Sequence, residues 1–376
     1  MAASDKLFQP LRIGNCDLQH RIVMAPMTRL RCDSNWVPTD MVAEYYAQRA
    51  CVPGTLIMTE GTQVSKRFVG MPHVGGIWSD EQIAGWKKVT DAVHAKGSFI
   101  WCQLWIPGRA GMYEVAQAAG TKLYAPSAIK LSAAPDTNVP VEMTLADIEA
   151  VKADYTQAAK NAMAAGFDGV QLHCAKGYLA DSFLQDVSNT RTDAYGGSIE
   201  KRARFPLEVM QGLVAAVGAE RVGIRISPWS SYNDMGMADP VPQFTYLVRE
   251  LSALKPAFLD LVEPRVSALD DCEPKPGQDN TIFVKEWACG TPVLLSGGFT
   301  AASAREAIAS IKTHEIATVM GRNFTSNPDL VFRIRENIEL TPYDRPKFFV
   351  PQLSEGYADW PFSKEFLVQQ GQEQKA

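Results

Sequence analysis

Short, nearly continuous apolar runs recur along the chain, and each precedes a stretch with less continuous apolar patterning. The runs cover residues 21–27 (RIVMAPM), 54–60 (GTLIMTE), 98–105 (SFIWCQLW), 169–174 (GVQLHC), 221–228 (RVGIRISP), 258–264 (FLDLVEP), 292–298 (PVLLSGG) and 317–322 (ATVMGR). Strands buried on both faces of a parallel sheet read this way, without the polar alternation of a half-exposed sheet. Helical spacing marks residues 40–50, 80–96, 144–165, 199–217, 242–254 and 301–311. The first of these follows Pro38–Thr39, a stop and a candidate cap.

Alternating strands and helices predict an α/β fold, either a closed barrel or a doubly wound sheet. No G-x-G-x-x-G follows the first strand, which removes the main support for a dinucleotide-binding sheet. A (β/α)₈ TIM barrel fits better, with an excursion after strand three at residues 106–143 that is a candidate lid. Residues 1–376 are read as one domain, since barrels of this kind exceed the usual domain size. The polar end of the chain, 366–376, reads as a flexible tail.

Composition narrows the function class. A net charge of −5 with dispersed basic residues argues against a nucleic-acid face. The seven cysteines form no C-x-x-C pair, and the histidines do not cluster, so neither a disulfide frame nor a metal site is expected. Residues 1–6 lack an apolar segment and no run reaches membrane-spanning length, so the expected location is the cytoplasm, with no membrane partner.

Barrels place their chemistry at the C-terminal ends of the strands. Gly297–Gly298 close the seventh run and Gly321–Arg322 the eighth, where barrels commonly hold a phosphate; a tight turn with a surface arginine is the structural alternative. Arg225 inside an apolar run suits either a structural ion pair or a cation beside an electron-rich reduced flavin. Gln103 and Thr28 stand where they could hydrogen-bond such a ring. His173 ends the fourth run, with Lys176 and Tyr178 just beyond. Three donors within six residues at the catalytic rim outweigh the structural role that a lone strand-end histidine usually has.

The segment from His173 to Gly197, HCAKGYLADSFLQDVSNTRTDAYGG, resembles the signature of the old yellow enzymes, FMN-dependent ene-reductases, particularly their fungal and plant branch. The likeness runs from LFQPLRIGN (7–15) through APMTRLR (25–31), EYYAQRA (44–50), TEG (59–61), GIWSDEQ (76–82), QLW (103–105), SNTRTDAYGGSIEKRARF (188–205), LVEPR (261–265), GR (321–322) and NPDL (327–330) to EGYADWP (355–361). Length and layout are similar to fungal members of specialised metabolism, such as chanoclavine-aldehyde oxidoreductases. The resemblance implies FMN as cofactor, NADPH or NADH as reductant, and a monomer or homodimer acting on a small molecule. It implies FMN contacts at Thr28, Gly61, Gln103, Arg225, Gly297, Gly298, Gly321 and Arg322. His173 and the residue three later would bind the substrate carbonyl, Tyr178 would donate the proton, and Trp105 and Tyr357 would line the pocket. The implied reaction reduces the C=C bond of an α,β-unsaturated carbonyl.

Lys176 departs from the pattern, which has Asn or His at that position. It could polarise the carbonyl as an ammonium, select a substrate bearing an acidic group, or redirect the flavin toward a redox-neutral isomerisation or cyclisation. In a purely structural role it would turn out of the pocket to pair with Asp181.

Overall fold

A computed structural model describes residues 5–267 and 270–373. Eight parallel strands close into a barrel: β1 (Ile22–Met24), β2 (Leu56–Met58), β3 (Phe99–Trp105), β4 (Gly169–Cys174), β5 (Val222–Ile226), β6 (Phe258–Val262), β7 (Val293–Ser296) and β8 (Ile316–Met320). Each pairs with its neighbours in the chain, and β8 returns to β1 through Thr318 opposite Ile22 and Met320 opposite Met24. Closure leaves no sheet edge open.

Outer helices cover the strands: α1 (Asp40–Arg49), α2 (Asp80–His94), α3 (Leu145–Ala164), α4 (Ile199–Val217), α5 (Val241–Ala253), α6 (Thr281–Glu286), α7 (Ala301–Ser310) and α8 (Leu330–Glu336). Side-chain caps explain several of the starts. Ser79 and Gln82 form a reciprocal capping box on α2, Thr144 and Asp147 on α3, and Thr300 and Ser303 on α7. Thr39 stands at the N-cap of α1, but its hydroxyl makes no cap bond and lies against the Arg31 carbonyl instead.

Two apolar layers hold the barrel. Outward side chains such as Ile57, Cys102, Leu172, Cys174 and Ile224 pack against the helices. Inward side chains at the opposite end, including Val23, Leu56, Trp101, Phe258 and Leu294, meet a hairpin formed by Leu11–Ile13 and Cys16–Leu18. That hairpin seals the bottom of the barrel, and among the described residues the polar side chains of the interior, such as Gln103, His173, Arg225 and Asp260, lie toward the C-terminal ends of the strands.

Two expectations need correction. The excursion after β3 does not roof the cavity described below. It forms a short helix, Tyr113–Ala118, and a two-residue pairing of Tyr124–Ala125 with Val141–Glu142. Arg191 pins it to the side by donating to the carbonyls of Pro126 (2.8 Å) and Met143 (2.6 Å). The supposed tail is mostly the helix Lys364–Glu373, because Phe366 is buried against Phe332 and Phe362; residues 374–376 lie outside the described residues.

Candidate active site

A cavity of about 440 Å³ opens at the C-terminal ends of the strands. Thr28, Gly61, Gln103, Trp105, His173, Lys176, Tyr178, Arg225, Gly297, Gly298, Gly321 and Arg322 all line it.

Register builds its floor. Arg225 lies opposite His173 on β4 and Asp260 on β6, and Gln103 lies opposite Gln171. Asp260 is fully buried and takes hydrogen bonds from Arg225 (2.6 Å), Gln171 (3.0 Å) and Ser296. Gln103 extends the chain by donating to Gln171 (2.7 Å). Arg225 thus has the structural ion pair considered above, and it also faces the cavity. A buried pair of this kind is costly unless fully hydrogen-bonded, and this one is held from three strands.

On the β4 side three aromatic rings meet, with Tyr178 edge-on to Trp105 and His173, which are themselves near parallel at 26°. Tyr178 lies 4.9 Å from both Trp105 and His173, centroid to centroid. Gly61 makes room for this group, since a Cβ there would fall 2.7 Å from Trp105 Cε3. Burial, with Arg225 and Lys176 nearby, holds the His173 imidazole well below its usual pKa, so it is neutral near pH 7. Its Nδ1 is buried without a hydrogen-bond partner. Burial also raises the Tyr178 phenol, keeping it protonated.

Lys176 is held in the left-handed region at φ +61°, which L-residues other than Asn and Asp seldom adopt. Its amide donates to Ser227 Oγ (2.8 Å), and its carbonyl accepts from Asn233 Nδ2 (2.8 Å). Nζ donates to the Val266 carbonyl (3.2 Å). Lys176 therefore does not turn away to Asp181, whose carboxylate is occupied by the Gly177 amide and Gln185. Burial, then the Arg225 guanidinium, lowers Lys176 to about 8.

Glycines and arginine line the β7–β8 side. Gly297 and Gly298 have φ of +128° and +58°, and a Cβ on Gly298 would approach Asp271 and the Arg322 guanidinium. Arg322 is ion-paired with Asp271 and contacts the Tyr343 hydroxyl (3.4 Å).

Tyr357 is corrected: it is fully buried and does not reach the cavity. It stacks on Tyr45 at 4.0 Å, beneath the guanidinium groups of Arg29 and Arg31. Phe348 and Phe349 supply the aromatic wall instead, with Met27, Met71 and Tyr232. Met27 sits within the quoted APMTRLR, whereas the two phenylalanines come from a segment with no regular period.

The donor set suits a planar heteroaromatic ring with an anionic arm. Gln103 and Arg225 offer polar edges on the β3–β5 side, and the positive-φ glycines beside Arg322 on the β7–β8 side are the residues that could hold a phosphate. Fold and site together define a flavin-binding barrel oxidoreductase.

Sequence comparison carries this further, because residues 6–341 match the NADH:flavin oxidoreductase / NADH oxidase family, and the chain belongs to it. FMN is the cofactor of this group, and the residues above fit it. Among relatives, the chain is 47% identical to the NADP-dependent oxidoreductase lnbE of Aspergillus flavus, over 96% of this chain and 97% of that one. It is 48% identical to the chanoclavine-I aldehyde reductase fgaOx3 of Penicillium roqueforti, over 96% and 97%. Some other relatives are described as probable inactive reductases or dehydrogenases. The crystal structure of old yellow enzyme from a Pichia species superposes with a TM-score of 0.88 at 37% identity, covering 97% of this chain and 95% of that one. Among the described residues, no helix is long and apolar enough to cross a membrane.

Proposed function

We propose that the protein reduces the C=C bond of an α,β-unsaturated aldehyde or ketone, using NADPH or NADH. The observation that carries this reading is the convergence of His173, Lys176 and Tyr178 on the cavity whose other wall fits FMN. When bound and reduced, FMN supplies the hydride. The carbonyl oxygen gains negative charge as the β-carbon accepts it, and the neutral His173 N–H and the Lys176 ammonium are the donors that stabilise that charge. The Tyr178 hydroxyl, kept protonated by burial, delivers the proton to the α-carbon. Trp105 holds the Tyr178 ring edge-on and limits how the substrate lies.

Anaerobic NADPH should bleach the yellow flavin-loaded protein, and an enal or enone should restore the colour with formation of the saturated carbonyl. Tyr178→Phe keeps the ring contacts, and re-oxidation by the enone should slow by about 10²-fold or more. Products of unchanged mass, formed without NADPH, would replace this reading with isomerisation or cyclisation.

A further inference from the structure

Several ion-paired lysines outside the cavity provide a contrast for Lys176. Lys152 is ion-paired with Glu149 and Glu208, Lys87 with Asp91, Lys88 with Asp40 and Lys347 with Glu355. At Lys152 and Lys347 the paired carboxylates raise the amine and so hold its proton. Among the described residues, no carboxylate lies within ion-pair distance of the Lys176 amine. Its hydrogen bond among the described residues goes to a backbone carbonyl, which cannot neutralise it. The backbone beneath it is locked in a strained conformation by Ser227 and Asn233, an arrangement that persists only where the surroundings over-determine it. Lys176 lines the cavity together with the neutral His173 and the protonated Tyr178, with its amine on the carbonyl of Val266, which also lines it.

We propose that the Lys176 amine is a nucleophile that condenses with an aldehyde bound in this cavity, forming an imine. This rests on the reading of the site as one that takes conjugated carbonyls and names aldehydes as the preferred class, for which the imine takes the place of the contact between the Lys176 ammonium and the carbonyl oxygen. The nitrogen lone pair attacks the carbonyl carbon, a C–N bond forms, and the C=O π electrons move to oxygen. The oxygen takes one of the two amine protons, a second proton from an acid lets it leave as water, and the nitrogen forms the C=N bond and retains its other proton. Tyr178 is the cavity group with a proton to give at this stage, and solvent restores it. The protonated imine draws electron density from the conjugated C=C more strongly than a hydrogen-bonded carbonyl does, so the β-carbon becomes the better hydride acceptor. Once the β-carbon has taken a hydride, the resulting enamine takes a proton at its α-carbon from the Tyr178 hydroxyl, and hydrolysis of the saturated imine frees the saturated aldehyde and the Lys176 amine. Burial beside Arg225 lowers the amine to about 8, which supplies neutral nucleophile near physiological pH.

The test treats the FMN-loaded protein with cinnamaldehyde and sodium cyanoborohydride and maps the adducts by peptide mass spectrometry. Lys176 should be labelled at least about tenfold faster than any surface lysine, and labelling should rise as pH increases from 7 to 9. Lys176→Arg keeps the charge and a donor but removes the nucleophile. That variant should retain its yellow flavin and show no adduct at position 176. Cinnamaldehyde binding is followed separately by its perturbation of the flavin spectrum. Binding without an adduct at Lys176, or labelling there no faster than at surface lysines, would overturn the imine. If enals are reduced by NADPH with no adduct, the imine alone fails. If Lys176 is labelled but no enal or enone is reduced, the ene-reductase reading alone fails.

Discussion

A lysine buried beside two other basic side chains has a measurable cost for folding. The Lys176 amine falls from the usual 10.5 to about 8 because burial, then Arg225, disfavours its charged form. Between these two values the unfolded chain holds a proton that the folded one has released. Stability therefore rises with pH across that window, and the penalty is fully present below pH 8. At its largest the penalty is about 3 kcal/mol. Lys176→Met keeps the length of the stem and removes the charge. The variant should melt at higher temperature than the parent at pH 7, with the gap closing as pH rises from 8 to 10.5. Thermal melts at matched ionic strength check this, and a gap independent of pH would assign the effect to packing. A residue that weakens the fold at neutral pH and sits in a strained backbone needs a reason at the site, and the carbonyl chemistry proposed above is one.

At the scale of single elements, strand ends at opposite faces of the barrel show what separates function from packing. Gly61 follows β2 at the cavity, and a Cβ there would sit 2.7–2.8 Å from Trp105. Gly169 begins β4 at the sealed face, and a Cβ there would sit 2.6–2.7 Å from Trp101. Alanine at either position forces an indole to move, at about 1–3 kcal/mol of overpacking. Both variants should lose thermal stability by that order, but only Gly61→Ala should release FMN more readily, as measured by flavin fluorescence after dilution. Equal flavin loss in both would mean that global loosening controls the cofactor. The barrel itself was legible because strands buried on both faces leave unbroken apolar runs, and the polar residues that interrupt them, Gln103, His173 and Arg225, mark the rim. Short elements were not legible. Thr281–Glu286 and Arg322–Ser326 have under two turns each, too few for a period to emerge, and the bottom hairpin has three-residue strands. The Tyr357 expectation failed for a different reason: its position depends on contacts with residues some 310 positions earlier.

Those contacts organise the whole molecule. Three buried arginines from the first quarter of the chain hold its last quarter, and they do so mainly through backbone carbonyls. Arg29 donates to the carbonyls of Phe348 (3.0 Å) and Gly356 (2.7 Å). Arg31 donates to those of Phe348 (3.0 Å), Lys347 (3.1 Å), Glu355 (3.2 Å) and Leu353 (3.0 Å). Arg49 donates to those of Phe324 (2.9 Å), Thr325 (2.8 Å) and Tyr357 (3.1 Å). The nearby buried acid, Glu60, accepts from the Arg29 amide (3.1 Å) and is pushed up to about 7 by burial, so it offsets the cluster only in part near neutrality. Guanidinium forks are suited to this task because their fixed donors can satisfy several carbonyls of an irregular segment that has no ladder of its own. The segment held in this way carries Phe348 and Phe349 into the cavity wall, so the arginine cluster determines the shape of a site that Arg31 does not line. Arg31→Met removes the fork while keeping an unbranched apolar stem. It should cost about 1–3 kcal/mol, since three partly buried carbonyls lose their donor together. The freed segment should also expose the Lys347–Phe348 bond. Trypsin should cut after Lys347 at least about tenfold faster in the variant than in the parent under native conditions, because local opening there no longer breaks the clamp. Mass spectrometry of the first cleavage products locates the site. If the variant is destabilised yet first cut elsewhere, the arginine supports the core generally and the aromatic wall is held by its own packing.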